Sequence, residues 1–130
     1  MAVGRVRPPY SDDVQHYEKL IARHTPLELV EVRDERTVAR RIPERAFVSL
    51  LDREGAALDS DGFASFLEER RRSGRDLCFV VGGPYGIMLE RVDQRLSLGP
   101  LTLAHQLART VLLEQVFRGH KILAGETYHH

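Results

Sequence analysis

The chain has 130 residues, 42% of them hydrophobic, with 19 basic and 19 acidic side chains and a formal net charge of zero, which fits a single domain, residues 1–130, around one core. Balanced charge argues against a protein that holds bare nucleic acid by counterion release alone, and no apolar run approaches the ~20 residues of a membrane span. The first ten residues lack the apolar stretch of a secretory signal, and the single cysteine excludes an internal disulfide and points to a reducing cytoplasm.

Residues 1–4 read as the end of a strand turning at Gly4. Ser11 is the expected N-cap of a helix in which Val14, Tyr17, Leu20 and Ile21 recur at helical spacing, with His16 and His24 on its solvent face. "LELVEV" (27–32) reads as a strand, and residues 34–41 as a short helix or turn closed by Pro43. "AFVSLLD" (46–52) is a strand and "REG" after it a turn. Residues 60–74 read as a helix with Phe63, Phe66 and Leu67 inward and Arg70, Arg71 and Arg72 as cations at its C-terminus before Gly74. These arginines, like Arg5 with Arg7 and Arg40 with Arg41, read as solvated helix ends that leave room for a local basic face. "LCFVV" (77–81) is apolar throughout, as in a strand covered on both faces, with Cys78 as a small buried hydrophobe. "GGPYG" follows at 82–86. A short helical piece at 88–94 leads to the strand "LSL" (96–98), then to "GPLTLA", a helix from about His105 ending before Gly125, and the tail "ETYHH".

Strands alternating with helices predict an α/β fold with a mainly parallel sheet flanked by helices. In such sheets ligands sit beyond the carboxyl ends of the strands. Three of those ends carry unusual residues: Leu51-Asp52, the segment from Gly82 to Gly86, and the segment from Gly99 to Thr102. "GGPYG" is neither a dinucleotide fingerprint nor a P-loop. Its paired glycines mean a positive-φ turn or a ligand lying on the backbone, and "LGPLTL" shares that ambiguity. The apolar lining of the latter, without Lys or Arg, suits a flat uncharged ring such as adenine better than a phosphate. His105 reads as a first-turn surface or capping residue. His129 and His130 could be a tag remnant, or with His120 a metal pair, but too few histidines are present for the first and no third ligand stands at zinc spacing for the second. No spacing suggests a covalent nucleophile.

The segments "FVVGGPYG", "LSLGPLTLAHQLAR", "LLEQVFRGHKIL" and the terminal "YHH" resemble the pseudouridine-N3 methyltransferases of large-subunit ribosomal RNA (the RlmH type). So do "AVGRVRPPY", "LELVEV" and "LLDREG", so the likeness runs along the whole chain. This family lies within the SPOUT methyltransferases. The resemblance implies a C-terminal trefoil knot around S-adenosylmethionine, against the general rule that chains do not knot. It places the cofactor contacts on Leu51, on Gly83, and on Gly99, Pro100, Leu101, Thr102, Leu103 and Ala104. It further implies a homodimer with the active site near the subunit interface, and 23S ribosomal RNA, in an assembled ribosome, as substrate. On that basis His105 or His129 is expected to take the N3 proton, Tyr128 to orient the base and His130 to contact the ribosome, with no metal. Departures from the family include Met1 falling inside its first strand, a short segment at 33–45, Ala104 where proline is common, and His130 where arginine or lysine is frequent. Alternatives are a SPOUT enzyme acting on another RNA such as transfer RNA, and a non-catalytic RNA-binding or ribosome-assembly factor.

Overall fold

The computed structural model describes residues 1–3, 6–82 and 87–127. In chain order the elements are β1 (Ala2–Val3), α1 (Tyr10–Ala22), β2 (Glu31–Val32), α2 (Glu35–Arg41), β3 (Phe47–Ala57), α3 (Ser60–Ser73), β4 (Leu77–Val80), β5 (Gln94–Ser97) and α4 (His105–Leu123). Every strand pair is parallel, with order β4-β3-β5 in one sheet and β1-β2 in the other. A parallel bridge between Ala2 and Val81 carries the smaller pair alongside the end of β4. The expected parallel α/β fold is present.

Alternation along the central strand sorts the helices into two layers. Val48 and Leu50 of β3 join Val80, Val38 and Ile42, so α2 covers that face. Phe47, Leu51, Leu96 and Val81 join Phe63, Phe66 and Leu67 of α3, Val14 and Ile21 of α1, and Leu112, Leu113, Val116 and Phe117 of α4. Three helices therefore share the other face. Burying one such side chain contributes roughly 1.5–3 kcal/mol, and the two clusters together hold the sheet from both sides.

Short-range chemistry sets most of the ends. Asp34 accepts the Thr37 N–H at 3.0 Å to start α2, and Asp59 accepts the Gly62 N–H at 2.7 Å to start α3. Gly74, at φ +75°, ends α3 in the left-handed conformation that glycine adopts without steric cost. Helix α1 departs from expectation: it opens at Tyr10, with Pro9 in the cap position and no side-chain cap, so Ser11 lies inside the first turn. Asp12 and Asp13 there complement the helix dipole instead.

Five further expectations are corrected. Strand β2 spans Glu31–Val32, and residues 27–30 lie outside it. Strand β3 runs on through "REG" to Ala57. Residues 88–93 form no helix: the Asp93 carboxylate accepts the Val48 N–H at 2.8 Å and its own N–H donates to the Val48 carbonyl at 2.9 Å, which draws the segment out along the sheet. Cys78 and its β4 neighbours Leu77 and Phe79 are only half-buried, although burial still pushes the Cys78 thiol pKa upward. Arg70 is not a solvated helix end, because its guanidinium lies 4.3 Å from the centre of the Phe47 ring.

His24 is also not simply solvent-facing. Its ring stacks on His120 with centroids 5.8 Å apart and planes 15° apart, and it lies 6.0 Å from the Phe117 ring. Burial, and secondly the nearby His24, lower the His120 pKa below its ordinary value. The unfolded chain then binds the proton more readily than the folded one, so this contribution is present above about pH 6.5 and is lost as pH falls through that range. The melting temperature is therefore expected to drop between about pH 7.5 and about pH 5.5, and less steeply in His120→Gln. Parallel pH profiles for the two proteins would exclude His120 as the source.

Candidate active site

The site is assembled where the sheet's carboxyl ends meet α4. Leu51 of β3 pairs with Leu96 of β5, and after a shift in register Ala56 faces the same Leu96, so residues 52–55 are thrown out of the ladder as a bulge. Asp52 closes it by accepting the Glu54 N–H at 3.0 Å and an Arg95 guanidinium hydrogen at 2.8 Å. The Glu54 N–H first, and Arg95 second, hold the Asp52 carboxyl below the usual carboxylate range. Gly55 returns the chain against β5 so closely that an added Cβ would sit 2.5 Å from the Arg95 carbonyl carbon. This is a backbone-on-backbone contact that only glycine permits.

The bulge is tied to the segment after β5. Arg53 Nη1 donates to Thr102 Oγ1 at 3.0 Å. Ser97 Oγ both accepts the Gly99 N–H and donates to the Gly99 carbonyl, each at 3.0 Å. Gly99 has φ +129°, and an added Cβ there would meet nothing within 4 Å. The backbone conformation at Gly99 therefore favours glycine whatever lies beside it. Beyond it, Pro100, Thr102 and Ala104 are exposed and Leu101 is 77% exposed, while Leu103 is half-buried.

Leu51, beside the bulge, and the segment from Gly99 to Ala104 are linked through Arg53. His105 is the first residue of α4 and half-buried. Gly83, Tyr128, His129 and His130 lie outside the described residues. A cleft of ≈ 400 Å³ opens beside this assembly, lined by Leu58, Phe63, Leu98, Gly99, Val111 and Gln115 among others. It meets the 99–104 segment at Gly99 alone, so this cleft and the expected cofactor loop are neighbours, not one pocket. No group of three or more metal-ligating side chains occurs among the described residues.

The chemistry of residues 96–104 matches the cofactor that the resemblance implies. The stretch carries no charged side chain, and the backbone N–H groups of Leu101, Thr102 and Leu103 bond to no other described residue. Apolar side chains beside available amide groups fit the faces and edge of an adenine.

One buried charge went unnoticed in the sequence. Arg109 of α4 is 2% exposed, and its Nη1 lies 2.8 Å from Glu31 Oε2. That oxygen also accepts the Val6 N–H at 2.5 Å. Gln106 Oε1, one turn earlier, accepts the Arg7 N–H at 2.9 Å. Helical spacing of Arg109 with Leu112, Leu113 and Val116 puts the arginine on the inward stripe, a signal available from the residues alone.

Similarity to known proteins follows the whole chain. The family described as "Predicted SPOUT methyltransferase" matches residues 1–129. A protein named Ribosomal RNA large subunit methyltransferase H from Solidesulfovibrio magneticus is 41% identical, with 100% of this chain and 96% of that protein covered. Its namesakes from Pelobacter propionicus and Thermotoga sp. are 42% and 31% identical, each over 98% of this chain and 95% of their own. The family model spans nearly the whole chain, and the chain belongs to the SPOUT methyltransferase family.

Proposed function

We propose that this chain is an S-adenosylmethionine-dependent methyltransferase that modifies N3 of a pseudouridine in 23S ribosomal RNA, in the cytoplasm and on the assembled ribosome. The observation that carries the reading is the near full-length likeness to proteins named as large-subunit ribosomal RNA methyltransferases. Leu51, Gly83 and the backbone of residues 99–104 hold the adenosine part of the cofactor, and the trefoil knot belongs to the same reading. Bound S-adenosylmethionine supplies a methyl carbon that is already strongly electrophilic. What remains for the chain's own residues is to position the base and to take the N3 proton. His129 or His105 takes that proton, Tyr128 orients the ring and His130 contacts the ribosome.

The active form is a homodimer. Leu107, Ile122 and Leu123 of α4 are exposed apolar residues, and Val111 lines the cleft, so this helix carries hydrophobic surface that its own sheet leaves uncovered. A zero net charge suits a substrate recognised by shape, because a large ribosomal surface replaces raw electrostatic attraction.

Transfer of a labelled methyl group to intact ribosomes, separated subunits and bare 23S RNA tests the reading. Label on intact ribosomes, at a single pseudouridine, is expected. Label on transfer RNA alone would select another RNA target, and cofactor binding without transfer to any RNA would select an assembly factor.

A further inference from the structure

We infer that Arg109 and Glu31 form a positioning pair that sets the rotation of α4 and with it the cofactor loop and His105. The inference rests on reading residues 99–104 as that loop. The guanidinium is buried while the Glu31 side chain is 33% exposed, and a buried charge carries a desolvation cost that an apolar side chain of similar volume avoids. Arg109 is nevertheless the largest fully buried side chain described. Its place in the helix gives the reason. It follows His105 by four residues, so the two share one face of α4 a single turn apart.

The start of α4 also has no cap of its own. Ala104 occupies the cap position and has no side chain to bond the first turn. Among the described residues, contacts from the N-terminal part of the chain hold this part of α4 instead: Glu31 with Arg109, and the Arg7 N–H with Gln106. Because one Glu31 oxygen also takes the Val6 N–H, the strand β2, the approach to α1 and the root of α4 meet at a single carboxylate. Residues 99–104 run directly into that root, so a twist of α4 about its axis displaces them first. Arg109 acts on the cofactor through the loop and does not touch it.

The test compares Arg109→Met, Arg109→Lys and Glu31→Gln in the full chain. Glu31→Gln keeps an acceptor for the Val6 N–H and guards against a variant that fails to fold. Arg109→Met and Glu31→Gln are expected to keep wild-type circular dichroism and sedimentation. Their calorimetric affinity for S-adenosylmethionine should fall at least about tenfold, the scale of one charge-assisted hydrogen bond. Amide exchange without cofactor should quicken at residues 101–106 and stay unchanged in α3, and Arg109→Lys should recover part of the lost affinity. Affinity within a factor of about two of wild type in Glu31→Gln, with unchanged exchange at 101–106, would overturn the inference. So would faster exchange spread equally through α3, which marks a merely structural role. Failure of the wild-type chain to bind S-adenosylmethionine would instead refute the functional reading beneath it.

Discussion

Replacing His129 by alanine is expected to lower the single-turnover methylation rate at least about a hundredfold, with affinity for S-adenosylmethionine intact, because general acid–base help is worth roughly 10²–10⁴-fold. A histidine's unperturbed pKa near ~6.5 leaves a neutral ring able to accept a proton at physiological pH. Gly125, at φ +70°, closes α4 ahead of the tail. His130→Ala should weaken apparent affinity for the ribosome and leave the transfer rate at saturation. Single-turnover transfer to intact ribosomes, read beside calorimetric cofactor binding, separates these outcomes. If removing residues 128–130 leaves transfer within a factor of about three, below the catalytic range, the proton passes to His105.

Two adjacent residues of α4 should respond to a new charge in opposite ways. Leu112 is 5% exposed inside the cluster formed with α1 and α3. Truncating such a leucine alone costs about 2–5 kcal/mol, and an aspartate adds an unpaired buried charge. Domain stability is only about 5–15 kcal/mol, so Leu112→Asp should leave little folded protein. Val111 is half-buried on the wall of the cleft. Val111→Asp should keep the protomer folded and weaken association between copies. Circular dichroism with sedimentation velocity checks both, and a folded, still dimeric Val111→Asp protein would count against an interface on that face.

The departures from expectation have a local cause at the start of α1 and a long-range one in the sheet. Ser11 is a good capping residue passed over because "RPPY" starts the helix one residue before it, where Tyr10 N–H reaches the Arg7 carbonyl at 2.9 Å. "REG" has turn-like composition, yet Gly55 is used for close approach to β5, and glycine serves both purposes. Residues 88–93 have helical character in isolation and are extended because Asp93 bonds to Val48, 45 positions away. In the last two cases a local propensity worth a few tenths to about one kcal/mol is overridden by pairing that no window of the sequence contains.

What the sequence determined alone were features written within a few consecutive residues. The helix at 60–74 closing at Gly74, the helix or turn at 34–41 and the helix from His105 are of this kind. Alternation of strands and helices likewise pointed to the parallel sheet that is present. Tertiary structure decided how those ends connect. It joined Arg53 to Thr102, laid Gly55 on Arg95, and buried Arg109 against Glu31 across 78 positions of chain. The physical reason is range. A cap or a positive-φ glycine is decided by hydrogen bonds and sterics within one turn, whereas an ion pair between a buried arginine and a distant carboxylate exists only once the sheet and helix that carry its halves have packed together.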